Sequence, residues 1–231
     1  PQSQHHHRPG SEALPRPLRE PAGHRQAGPV AKWNAEAQHD KKEYPETFRN
    51  HRRHEYDRAY RERSLVAGPF VCILRTQFID AGGAHPNHDV NTILWDAKAR
   101  KRISIRPFFD GTRTNGPTMR RPAKAIRAAV VAAKKARGMR PTAANDPTWL
   151  GGIKPNLTKI GGVALALSTE RGKSAGLIVS FSPCAVGSYA EGSSYVVFVP
   201  WTVFKAGLFR EGRAIFGGRR PKDDRRNDIN G

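Results

Sequence analysis

The chain predicts an α+β fold: an antiparallel sheet built from hairpins, one long helix packed on it, and basic tails outside the core. Three observations carry this. Residues rich in β-branched and aromatic types recur in pairs around short turns. One segment has helical spacing of apolar residues over four turns. The helices are segregated from the strand pairs instead of alternating with them, which argues against a parallel sheet. The length of 231 residues holds one ordinary domain plus tails, or two small domains.

Residues 1–28 are rich in Pro, His, Arg and Gln, lack periodicity and read as a disordered tail. Trp33, Ala37 and Lys41 share a helical face that Glu43-Tyr44-Pro45-Glu46 interrupts. Tyr56, Arg58, Tyr60 and Glu62 alternate with Asp57, Ala59, Arg61 and Arg63, which is strand periodicity. Residues 69–79 form a more buried strand. Residues 91–96 and 102–105 flank a basic turn as a hairpin, with Leu94 and Asp96 facing away from Ile93 and Trp95.

Residues 122–137 predict the long helix. Pro122 suits its first position, and Ile126, Val130 and Ala133 supply the buried stripe. Lys134, Lys135 and Arg137 complement the dipole at its end, and Gly138 stops it. Residues 139–162 read as loop. Residues 163–167 and 176–181 make a second hairpin, and residues 195–199 a last strand ended by Pro200. These strands, the earlier ones and the helix are expected to share one sheet and one domain over residues 29–210. Residues 211–231 read as a charged tail without core content.

Two loops stand out: Asp80-Ala81-Gly82-Gly83-Ala84-His85-Pro86-Asn87, and Ser182-Pro183-Cys184-Ala185-Val186-Gly187-Ser188-Tyr189-Ala190-Glu191-Gly192. Each follows a β run and packs Gly, Pro and polar residues where the backbone must turn sharply. Together they resemble the two signature loops of the extracytoplasmic domain shared by the RsiV anti-sigma factor and the PdaC peptidoglycan deacetylase. The resemblance covers roughly residues 48–208, with 140–162 poorly matched. Cys184 stands where that family usually has Tyr. The resemblance implies an α+β binding or sensing domain of the bacterial cell envelope, periplasmic or otherwise extracytoplasmic. It implies no enzyme, because the deacetylase activity in that family resides in a separate catalytic domain. Related anti-sigma ectodomains sense by binding a protein, lysozyme. The ligand-binding candidates are Gly82, Gly83, His85, Asn87, Tyr189, Glu191 and Gly192, forming a rim. The alternative is that these residues only define the turns.

Other chemistry finds little support. Gly172-Lys173-Ser174 lacks the earlier Gly of a phosphate-binding loop, since Leu167 stands there. His85, His88 and Asp89 have the residue types of a metal site but no second ligand cluster, so His85 is expected to bond its own loop. Glu191 with Asp80, Asp89 or Asp96 would make a carboxylate pair, a placement that spacing does not decide. No cofactor and no metal is expected, and a small hydrolase using His85 is the weakest reading. Cys72 and Cys184 could pair or remain thiols. No stretch approaches the ~18 apolar residues of a membrane span. The chain starts without Met and reads as a fragment or processed form.

The formal net charge of +20 favours anionic partners. Expected partners are an envelope protein or an anionic cell-wall surface. The competing reading is a basic cytoplasmic protein that binds nucleic acid non-specifically, chiefly through its tails.

Overall fold

The computed structural model describes residues 29–43, 45, 55–66, 68–80, 85–192 and 194–224. The chain divides into two compact units, Pro1–Thr47 and Phe48–Gly231. In the first, helix α1 spans Pro29–Glu43. Lys41 and Lys42 lie in its last turn, favourable to the helix dipole. The tail expected over residues 1–28 lies outside the described residues.

The second unit holds an α+β domain. Strands β1 (Glu55–Val66), β2 (Phe70–Asp80), β3 (Asn87–Asp96) and β4 (Lys101–Ile103) form an antiparallel sheet in that order. Its register puts Ser64, Cys72 and Leu94 in line on the buried face, beside Leu74 and Thr92. Its other face carries Tyr60, Arg75 and Asn91 in line. A bulge between Glu62 and Ser64 shifts the register. Two successive residues, Arg63 and Ser64, are therefore both buried, which a regular strand does not allow.

Strands β5 (Gly162–Leu165), β6 (Gly176–Phe181) and β7 (Tyr195–Pro200) form a second antiparallel sheet. All six residues of β6 are buried, as its nearly continuous apolar run, broken only by Ser180, implies. The single sheet expected from sequence is therefore two. Edge strand β5 meets the buried face of the first sheet through side chains instead of a backbone ladder. Ser64 Oγ donates to the Leu165 carbonyl (2.6 Å), Leu165 N–H donates to Cys72 Sγ (3.2 Å), and Thr92 Oγ1 donates to the Val163 carbonyl (2.9 Å). Three short polar side chains thus cap the backbone groups of an edge that would otherwise be buried unsatisfied. Cys72 is a buried free thiol whose pKa is pushed up by that burial, and Cys184 is an exposed free thiol.

Helix α2 spans Pro117–Ala136 and packs against β7 through Ile126 and Val130, both fully buried, with Ala133 partly buried beside them. It begins five residues before the expected start. Pro117, not Pro122, takes the first position, after Gly116. Residues 139–162 include two single helical turns, α3 (Pro141–Ala144) and α4 (Pro147–Leu150), and bury Leu150, Ile153 and Ile160. Two turns follow β7: α5 (Trp201–Phe204) and α6 (Arg210–Ile215).

The segment expected as a charged tail from residue 211 is structural as far as Asp224. Phe216 stands edge-on to Phe204 (centroids 5.1 Å) and to Phe108 (6.2 Å) in an aromatic cluster. Ser174 N–H donates to the Ile215 carbonyl at 2.6 Å. Asp224, buried, accepts two bonds from the buried Arg63 guanidinium (2.7 and 3.2 Å) and one from Arg220 Nε (2.7 Å). Burial alone would raise the Asp224 carboxyl; the two guanidinium groups outweigh it and hold it below its ordinary pKa. The apolar pair Ile215-Phe216 was the signal in the sequence for this packing. Residues 225–231 lie outside the described residues.

Candidate functional site

The two sequence-marked loops meet. The His85 ring lies flat on the Tyr189 ring, with centroids 3.9 Å apart and planes 11° from parallel. His85 is exposed, just before β3, and its Nδ1 lies 3.2 Å from the Pro86 carbonyl. A carbonyl only accepts, so Nδ1 is the donor in that contact. Tyr189 is half-buried in a 3₁₀ turn, Tyr189–Glu191, that follows the loop after β6.

The second loop is pinned from beneath by Glu191. Its Oε1 accepts from Ser188 N–H (2.8 Å), and its Oε2 accepts from the Tyr195 hydroxyl (2.7 Å). Lys134 Nζ, fully buried on α2, reaches Oε2 at 3.0 Å and Oε1 at 3.4 Å. One turn on, Arg137 donates to the Ser194 carbonyl (2.7 Å), and its guanidinium lies 3.9 Å from the centre of the Tyr195 ring. Burial pushes the Glu191 carboxyl up, but the Tyr195 hydroxyl, the Lys134 ammonium and the Ser188 amide outweigh it, so its pKa sits below the ordinary value. The same neighbours act oppositely on Tyr195. Burial first, then the Glu191 carboxylate, raise its hydroxyl to about 12.

Two glycines make this possible for different reasons. A Cβ at Gly187 would run into the Glu191 carboxylate, so the loop can cross the ion pair only at a residue without a side chain. Gly192 has open space around it but φ = 94°, a conformation that favours glycine. Cys184 adopts φ = 65° in the same loop.

The structure thus brings together His85 and Tyr189, and sets Glu191 and Gly192 directly behind them. Asn87 is the exposed first residue of β3, paired with Ile79. Gly82 and Gly83 lie outside the described residues. His85, His88 and Asp89 do not converge. His88 lies edge-on to Phe78 at 5.1 Å, while Asp89, on the opposite face of β3, accepts from Ser182 Oγ at 2.7 Å. Glu191 is engaged by Lys134, Tyr195 and Ser188, Asp89 by Ser182, and Asp96 by the Ala99 amide of its own turn (2.9 Å), so each carboxylate has a separate set of donors.

Sequence reasoning missed Lys134, Tyr195 and Gly187. From sequence Lys134 reads only as a last-turn cation that complements the dipole. A signal was present: it falls four residues after Val130 and eight after Ile126, on the buried stripe itself. A lysine on that stripe calls for a buried anion.

A cleft of about 510 Å³ opens elsewhere, between β3–β4 and residues 157–163, lined by Asn91, Thr92, Arg102, Ser104, Leu157 and Thr158 among others. It has no contact with the His85–Tyr189 stack in its lining. Among the described residues no three His, Cys, Asp or Glu side chains gather as a metal site, and no helix is long and apolar enough to cross a membrane.

No family model matches the chain, and no curated protein does. Solved structures do. A DUF3298 family protein from Pseudomonas aeruginosa PAO1 is 15% identical and aligns over 84% of this chain and 82% of its own, with a TM-score of 0.50. A DUF3298 family member from Bacteroides fragilis NCTC 9343 is 15% identical over 83% and 73%, with a TM-score of 0.56. At that identity the likeness establishes the fold: this domain is built like DUF3298 structures.

Proposed function

We propose that the domain is a non-enzymatic binding or sensing module of the bacterial cell envelope, and that it recognises its ligand at the rim where the two loops meet. The observation that carries the proposal is the stack of His85 on Tyr189, which joins loops a hundred residues apart into one surface. Glu191, Lys134 and Tyr195 hold that surface rigidly from behind. Rigid support lowers the entropy lost when a partner docks, and an exposed imidazole on an aromatic ring offers both contact area and polarity. The resemblance to envelope-sensing domains supports the setting and a protein or cell-wall ligand.

The test is capture of purified lysozyme, and separately of peptidoglycan sacculi, by the intact chain and by His85→Ala and Tyr189→Ala. Binding at 0.5 M salt that falls at least tenfold in both variants, with unchanged thermal melts, is expected for one of the two ligands. Binding of neither, or binding indifferent to both substitutions, refutes the rim.

A further inference from the structure

The positive charge of this protein is not spread evenly, and it is not mainly in the ends of the chain. Residues 97–140 contain fourteen Lys and Arg and a single acid, Asp110. Residues 1–28 contain four Arg against two Glu. Within the folded domain the concentration centres on α2, which carries Arg120, Arg121, Lys124, Arg127, Lys134 and Lys135 and no acidic residue. Two of these are committed inside the fold: Arg127 Nε donates to the Ile153 carbonyl (2.9 Å), and Lys134 meets Glu191. Arg120, Arg121, Lys124 and Lys135 are exposed and have no partner among the described residues. Exposed Arg113 precedes the helix and exposed Arg140 follows it.

These side chains share one face. At 3.6 residues per turn, Arg120, Arg121, Lys124 and Lys135 fall within about a third of the helix circumference, together with exposed Ala128 and Ala132. From Arg121 to Lys135 the face runs about 21 Å. It is electrostatically unfavourable to the free protein. Arg120 and Lys124 are like charges four residues apart, and Arg121 and Lys124 three apart, spacings that destabilise a helix. No acid occupies the first turn to offset the dipole. A face kept merely soluble mixes both signs; this one has a single sign and calls for an anionic partner.

We propose that the exposed face of α2 docks on an anionic phospholipid surface, orienting the domain on a membrane. Apart from Pro117 at its start and half-buried Val131, which packs on the core, the face holds only Arg, Lys and Ala. It has no amide or hydroxyl to read a base edge and no aromatic ring to stack on one, so nucleic acid is the less fitting polyanion. It exposes no large apolar side chain either: among the described residues the exposed large hydrophobics are Tyr60, Leu65 and Phe209, all away from α2. Attachment is therefore by charge at the headgroups, without insertion. Ala128 and Ala132 let the helix lie flat while the long basic side chains reach outward. The face ends where Lys134 and Arg137 grip the second loop, so docking sets the orientation of the rim without covering Glu191. The residues involved are distinct from those of the rim, and each proposal can fail without the other.

The experiment is sedimentation of the full chain with vesicles of 30% phosphatidylglycerol in phosphatidylcholine, and with pure phosphatidylcholine, at 50 and 500 mM salt. Expected is binding to the anionic vesicles alone, lost at high salt. Each basic residue near an anionic surface is worth about fivefold, so losing three should weaken binding on the order of hundredfold, and Arg121→Glu/Lys124→Glu/Lys135→Glu, which also adds repulsion, by at least that. The triple Lys98→Glu/Lys101→Glu/Arg102→Glu, with the same change in net charge, should stay within a few-fold of the parent. The glutamine triple at 121, 124 and 135 repeats the test without introducing acid, and thermal melts check folding. Absence of vesicle binding at 50 mM salt, equal losses in the two glutamate triples, or binding retained by both triples at 121, 124 and 135 overturns the proposal. Tighter binding to duplex DNA than to vesicles, abolished by the same triple, assigns the face to nucleic acid instead.

Discussion

Replacing Glu191 by alanine tests the account of how the second loop is held. The substitution removes the acceptor for Lys134 Nζ, the Tyr195 hydroxyl and the Ser188 amide together. Lys134 is fully buried, so its ammonium is left without a counter-charge in a region of low polarity. Breaking a buried pair from one side costs about 3–5 kcal/mol. Orphaning the Tyr195 hydroxyl costs about 1–3 kcal/mol by itself, but the two losses share one site and do not add. A net loss of about 3–5 kcal/mol follows. For a domain of this size, each kcal/mol moves Tm by about 2–4 °C, so a fall of roughly 6–20 °C is expected in calorimetry. The diagnostic comparison is Lys134→Met combined with Glu191→Ala. Methionine fills the lysine channel with no charge to bury, so the double variant should regain much of the loss. A single variant that melts within about 2 °C of the parent refutes the reasoning. So does a double variant less stable than the single.

Other outcomes follow from the same structure. Glu191 and Asp224 both have lowered carboxyl pKa values in the fold, so each contributes stability above the ordinary carboxylate range, near pH 4, that is lost as pH falls through the lowered folded values. Urea midpoints should hold from pH 7 to about pH 5 and drop below pH 4, less steeply in Glu191→Gln. Tyr195 is shifted the other way, to about 12, so its contribution is full below about pH 10 and disappears as pH rises toward 12, which ultraviolet titration of tyrosinate beside a melt would reveal. Deleting residues 219–231 removes Asp224 and Arg220 and takes from the buried Arg63 its Asp224 carboxylate; denaturant unfolding should lose about 3–5 kcal/mol, whereas a dispensable tail would lose nothing measurable.

Much of the local architecture was legible in the residues. Alternation at Tyr56–Arg63 and Asn91–Asp96 marks strands because side chains of a pleated chain face opposite ways. Ile126 and Val130 mark the buried side of α2 because a helix repeats every 3.6 residues. The two loops declared themselves through Gly and Pro at the ends of β runs. The start of α2 was displaced because Pro117 and Pro122 are both eligible first residues and only the preceding turn decides between them.

The sequence by itself determined the strands and the long helix, since those depend on neighbours a few residues away, but not the short helical turns α3, α4 and α6. It also determined that two loops would be structurally special. Only the tertiary structure decided that the strands form two sheets, because the choice rests on Ser64, Cys72 and Thr92 capping an edge about seventy to a hundred residues distant. It alone placed His85 on Tyr189, paired Lys134 with Glu191 and carried Asp224 back to Arg63. Each is a contact between residues far apart in the chain, and local periodicity contains no term for what a side chain will meet once distant segments are packed together.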